Sequence, residues 1–169
     1  MKAWFASAGI FAIGLTLTNP AVAETLGYPN MEKASFLLDY PEDWAMVPGD
    51  NAGDYVSLAS PSGVLMQLRA VEGSESVMDQ VIAENVQFLE DNFTKVELDA
   101  AKDINTEDGL TGSLLQGTAV DSDKKAVNFA IFYVALPDGK VADIWYSAFK
   151  GDAEGSKAAV AVLDSFRTR

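Results

Sequence analysis

Residues 126–149 read AVNFAIFYVALPDGKVADIWYSAF, two apolar runs joined by Pro137-Asp138-Gly139-Lys140. Pro, Asp and Gly between such runs signal a hairpin. In the first run Val127, Phe129, Ile131, Tyr133 and Ala135 alternate with Ala130, Phe132, Val134 and Leu136. Both alternating sets are apolar or nearly so, which predicts a strand covered on both faces and hence central in its sheet. The rest of the chain is arranged around that hairpin. Residues 35–40 (SFLLDY), 55–60 and 64–71 read as strands, the last two joined by Ser60-Pro61-Ser62-Gly63. Residues 24–33 hold Gly27, Pro29 and Asn30 and read as an irregular lead-in, and residues 48–54 (PGDNAGD) read as a loop.

The clearest helix is 76–93. Ser76 and Asp79 have capping-box spacing, and Met78, Val81, Ile82, Val86, Leu89 and Phe93 recur at helical intervals. Asp79, Ala83, Glu84, Gln87, Glu90 and Asp91 fall opposite, while Asn85 interrupts the apolar stripe. Strands follow over 96–104 and 109–120, the first with Glu97, Asp99 and Asp103 on one side. A second helix spans about 153–166, with Ala159, Val162, Leu163 and Phe166 as its stripe and Arg167 and Arg169 placed to offset its dipole. The order is βββ-α-ββββ-α. Strands clustered in hairpins predict an α+β fold, a largely antiparallel sheet of about six or seven strands with helices packed on it.

Composition adds a location. Met1-Lys2, the apolar run 3–17 and Ala21-Val22-Ala23 form the positive, hydrophobic and small-residue regions of a secretory signal peptide, with cleavage expected near Ala23. The remaining part, 24–169, reads as a single domain with no further apolar stretch long enough to cross a membrane. It would be periplasmic or secreted. The net charge of −13 makes nucleic acid an improbable partner, because binding there needs Lys and Arg to neutralise phosphates.

The stretch FLLDYPEDW, Phe36 to Trp44, resembles the opening strand of the PsbP/DcrB-like proteins, where an apolar strand enters a Pro-x-x-Trp turn. Leu163-Asp-Ser-Phe-Arg167 is similar to the close of their last helix, and the element order matches. The resemblance implies an α/β/α sandwich about an antiparallel sheet and a binding or assembly role. It carries over no catalytic residues, only Phe36, Pro41 and Trp44 as markers of the fold.

The chemistry is read mainly by exclusion. With no His and no Cys, imidazole and thiolate catalysis, Cys/His zinc sites and the corresponding haem and iron–sulfur ligands are ruled out. No nucleotide-binding glycine loop and no nucleophile elbow occurs. No cofactor is expected. Asp50–Asp54 and Asp121–Asp123 are the best Ca²⁺ candidates, but Pro61 stands where an EF-hand needs its bidentate Glu, and polar turns explain both. Four residues remain as ligand candidates. Trp44 and Trp145 could line an apolar pocket, although Trp145 and Tyr146 must face opposite sides of their strand. Asn85 in the helix stripe and Arg69 on a strand need partners. A backbone group is expected for the first and a carboxylate for the second. The favoured site lies at the rim, near Trp44 and the 48–54 loop.

These observations predict a non-catalytic exported factor that works through contacts with an envelope protein. Two alternatives stay open: a small-ligand binder, which needs a pocket of roughly 300 Å³ or more, and a hydrolase, which needs two inward carboxylates about 5–10 Å apart.

Overall fold

The structure is a computed structural model, which describes residues 23–51, 53–106 and 109–169. The expected leader lies outside these residues apart from Ala23. In chain order the elements are β1 (Ala23–Tyr28), β2 (Phe36–Pro41), β3 (Ala45–Val47), β4 (Val56–Ala59), β5 (Leu65–Glu72), α1 (Glu75–Asn92), β6 (Thr94–Leu98), β7 (Lys102–Asn105), β8 (Thr111–Val120), β9 (Ala126–Ala135), β10 (Lys140–Phe149) and α2 (Ala153–Asp164). Eight strands form one antiparallel sheet in the order β3-β4-β5-β10-β9-β8-β6, with β7 also pairing β8. β1 and β2 form a separate two-stranded ribbon. The fold is α+β, as the clustering of hairpins requires.

β9 and β10 lie in the middle of the sheet, and each explains its own sequence. Phe129 and Ile131 face one way with Trp145, against Leu89 of α1. Val134, Ala142 and Ile144 face the other, into a core completed by the ribbon and α2. The hairpin joining them closes through Gly139, whose φ of +81° suits a residue without Cβ. Its amide donates to the Leu136 carbonyl and the Leu136 amide donates to the Lys140 carbonyl.

The ribbon-side core is aromatic and aliphatic. Phe36 stacks between Tyr28, at 5.4 Å between ring centroids, and Phe166, at 5.3 Å. Leu38, Leu58, Met66 and Leu68 join it, all fully buried.

Several expectations need correction. The lead-in contains β1: Leu26 and Tyr28 are buried on alternate positions against β2, so a period-two pattern was present despite Gly27 and Pro29. The stretch 96–104 is broken at residues 99–101 into β6 and β7. Among the described residues, these divisions and the short β3 raise the strand count from the expected six or seven to ten. The cap of α1 is Ser74, whose side chain makes no capping bond, so the box at Ser76 does not form. The buried line of α1 runs through Val81, Asn85 and Leu89, while Ile82 and Val86 are exposed. The stripe is rotated toward Asn85 because that residue has partners on the sheet. α2 stops at Asp164 rather than Phe166. Arg167 meets the C-terminal end of α2 as expected, donating to the carbonyl of its C-cap Ser165 at 2.9 Å, and it also ties that end to β2: it exchanges backbone bonds with Leu37 and its guanidinium donates to both oxygens of Asp39 at 2.9 and 3.0 Å.

Candidate functional site

Strand register sets one polar row across the sheet under α1. Asp143 on β10 stands opposite Arg69 on β5 and Tyr133 on β9. Tyr55, just before β4, and Asn85, from α1, complete the group. Asp143 is fully buried. Its Oδ2 accepts from Tyr55 Oη at 2.6 Å and from Arg69 Nε at 2.9 Å, and its Oδ1 accepts from Asn85 Nδ2 at 3.1 Å. Asn85 Nδ2 also donates to Tyr133 Oη at 2.9 Å, and Asn85 Oδ1 lies 3.2 Å from Tyr55 Oη. Arg69 reaches outward as well, donating from Nη2 to Glu84 Oε2 at 2.9 Å, and its guanidinium carbon sits 4.2 Å from the centre of the Tyr55 ring.

The electrostatics fit that wiring. Burial, reinforced by the charge and hydrogen bond of Asp143, raises the Tyr55 phenol far above its ordinary value. Burial pushes Tyr133 up to about 12. Both phenols therefore remain protonated, which keeps Tyr55 available as a donor. The hydrogen bond from Arg69, with a second from Gln80, lowers the Glu84 carboxyl. Burial would lower Arg69, but its bonds to Glu84 and Asp143 and the surrounding charge outweigh it and leave the guanidinium above its usual value.

The arrangement is a clasp. Both oxygens of Asp143 and both Nδ2 protons of Asn85 are occupied from within the protein; the single Tyr55 hydroxyl proton goes to Asp143, its shorter partner. A one-residue slip of β10 would turn Asp143 into the apolar core on the other side, so the pair fixes strand register as well as the seat of α1.

Three of the four residues singled out from the sequence meet here. Arg69 and Asn85 belong to the clasp, and Trp145 lies on the next row of the same face, opposite Gln67 and Ile131. Arg69 has carboxylate partners, as expected of it. Asn85 bonds side chains, which corrects the expectation of a backbone partner. Trp44 is elsewhere, buried in the ribbon-side core. The four do not form one site. Asp143, Tyr55, Tyr133 and Glu84 escaped the sequence reading of candidates. The available signal was Asp143 itself, a lone acid within the apolar run VADIWY.

Beside the clasp is a cleft of about 280 Å³, lined by Tyr55, Gln67, Glu84, Asn85, Phe88 and Trp145. Trp145 Nε1 is buried without a hydrogen-bond partner among the described residues. The Phe88 ring stands nearly perpendicular to the indole, centroids 5.3 Å apart. The Ca²⁺ candidates are turn residues: Asp54 Oδ2 accepts from the amide and side chain of Asn51, and Asp121 Oδ1 accepts from the Lys125 amide. Among the described residues no group of three or more acids is placed to hold a metal ion, and no helix is long and apolar enough to cross a membrane.

No protein-family model matches the chain, and no curated protein matches it. Solved structures do. The solution structure of cyanobacterial PsbP (CyanoP) from Synechocystis sp. PCC 6803 superposes with a TM-score of 0.61 at 15% identity, over 97% of this chain and 98% of that one. The fold is PsbP-like. LpqN of Mycobacterium tuberculosis, described as involved in cell envelope biogenesis, matches with a TM-score of 0.52 at 17% identity, over 79% of this chain and 83% of that one. The Saccharomyces cerevisiae Ran-binding protein Mog1p gives 0.53 at 8% identity, over 88% and 96% of the two chains. At these identities the likeness concerns the fold. The sequence resemblance extended to DcrB-like proteins, and the solved structures bear on its PsbP half.

Proposed function

We propose that this PsbP-like domain is an exported, non-catalytic accessory factor that acts by binding another protein of the cell envelope. The observation that carries the reading is the closed state of the clasp. The most chemically loaded cluster of the molecule spends its carboxylate, the N–H groups of its amide and the Tyr55 hydroxyl on holding α1 to the sheet, so binding is left to the exterior. The export signal, the absence of His and Cys, and an acidic charge of −13 agree with that division. Two solved structures of the same fold carry descriptions that each touch one half of the reading, involvement in cell envelope biogenesis for LpqN and Ran binding for Mog1p. The DcrB-like relationship, and periplasmic residence after cleavage near Ala23, belong to this proposal.

The test is affinity capture from the native envelope fraction, with the N-terminus of the captured protein sequenced. A reproducible protein partner and an N-terminus at Glu24 are expected. Capture without any protein partner would end the reading.

The orphan indole N–H of Trp145 favours a second reading, a small ligand with a hydrogen-bond acceptor lodged in the 280 Å³ cleft. Native mass spectrometry separates the two: an added mass released on unfolding supports the ligand, and a bare protein mass opposes it.

A further inference from the structure

We propose that β3 is a docking edge that receives an extended, cationic segment of a partner protein as an added strand. The inference rests on the reading that the protein works through protein contacts, and names the surface and the partner's chemistry.

β3 ends the eight-stranded sheet, pairing β4 on one side and no strand of the described residues on the other. Its outward N–H and C=O groups are a template for strand addition. Sheet edges are usually blunted by short length, Pro or charge, above all Lys; β3 is three residues long and Pro48 follows it, but it carries no charge. Here all three residues are exposed and apolar, Met46 at 46% and Val47 at 60%. These two alternate in direction, so an added strand would gain apolar contact on both faces.

The chain on either side of β3 carries charge of one sign. No Lys or Arg occurs between Lys33 and Arg69, a stretch holding Asp39, Glu42, Asp43, Asp50 and Asp54. Of these Asp39 is neutralised by Arg167. Just before β3, Pro41, Asp43 and Trp44 form one wall of a groove of about 320 Å³, whose other walls include Pro61 and Glu154 and no basic residue. Asp152 caps α2 through its Oδ1 and is not in the groove lining. Lys150, two residues earlier, is not part of the groove lining. Two acids beside Trp44 and a proline suit the aliphatic stem and charged head of a Lys or Arg side chain. A second copy of this chain is the poorer occupant, because edge-to-edge pairing would set Glu42, Asp43 and Asp50 against their own duplicates.

The experiment is a ¹⁵N-amide NMR titration of the purified protein with the capped peptide Lys-Val-Lys-Val-Lys-Val-Lys, and with its Glu-for-Lys counterpart. Saturable shifts at Ala45–Val47 with the cationic peptide, none with the acidic one, and about tenfold weaker binding between roughly 0.05 and 0.5 M salt are expected. Asp43→Asn with Glu154→Gln should weaken binding about tenfold. Glu90→Gln with Asp91→Asn, on the outer face of α1, should leave it unchanged. Unmoved β3 amides, equal binding of the acidic peptide, or equal loss from both variant pairs would overturn the proposal. So would β3 shifts that follow protein concentration alone, which would make the occupant a second copy. Envelope capture separates the layers: a partner retained undiminished by D43N/E154Q removes the edge assignment and keeps the broader function, whereas no partner at all removes the function.

Discussion

Phe36 and Asp143 are equally buried, on opposite sides of the same sheet. Under the ribbon and α2, Phe36 is held by ring stacking and by Leu38, Met66 and Leu68, contacts that need volume and little direction. Under α1, Asp143 is held by three directed hydrogen bonds, from β5, from α1 and from the residue before β4. The first kind of core tolerates change that conserves volume. The second depends on partners, because removing one leaves a desolvated charge behind. The contrast shows how a sheet with few covering elements fixes both its strand register and the seat of a helix.

The largest expected effect comes from Arg69→Met. It strips Asp143 of its counter-charge and should lower stability by about 3–5 kcal/mol in urea denaturation. Pairing it with Asp143→Leu removes the orphaned carboxylate, so the double variant should be more stable than the single one. A double variant no better than Arg69→Met would mean that the charge was not the source of the loss. On the other face, Met66→Leu, though fully buried, should cost less than about 1.5 kcal/mol. A larger loss would erase the distinction between the two cores.

Arg167→Ala removes a half-exposed pair and should cost about 1 kcal/mol or less. Its pH signature is more telling. The hydrogen bonds from Arg167 and Thr25 hold the folded Asp39 carboxyl below its ordinary value. A depressed folded pKa stabilises above the unfolded value of about 3.9 and is lost as pH falls through the folded one. Glu84 behaves likewise, through Arg69. Wild-type stability should therefore fall below about pH 4, and Arg167→Ala should flatten that fall without moving the plateau at neutral pH beyond its small constant loss. The smallest effect belongs to Ile82→Ser, which should stay within about 0.5 kcal/mol because the side chain faces solvent. A loss of several times that would restore Ile82 to the buried stripe of α1.

That last residue shows how far the sequence could be read. Helical periodicity located α1, yet it could not say which side of a broad apolar stripe meets the sheet. Ile82 and Val86 fit the pattern as well as Val81 and Leu89 do. The deciding residue was the polar one, Asn85, whose partners come from 30 to 58 positions away in sequence. The central hairpin was legible because its two-faced apolar alternation is a local signal. β1 was hidden by Gly27 and Pro29. Arg69, Asn85 and Trp145 could each be picked out as chemically conspicuous, but their gathering on one face depends on the pairing of β5 with β10, a long-range register that no local pattern encodes. Trp44 was equally conspicuous and lies in the other core, since the Pro41–Trp44 turn carries it to the ribbon side.

The central claim is that the clasp holds the fold while binding happens on the exterior. The most direct test is envelope capture with the Arg69→Met/Asp143→Leu double variant, after its amide spectrum has shown it to be folded. The account predicts the same protein partner in the same yield as the wild type. A folded double variant that loses the partner, or that loses a small molecule the wild type retains, would contradict it.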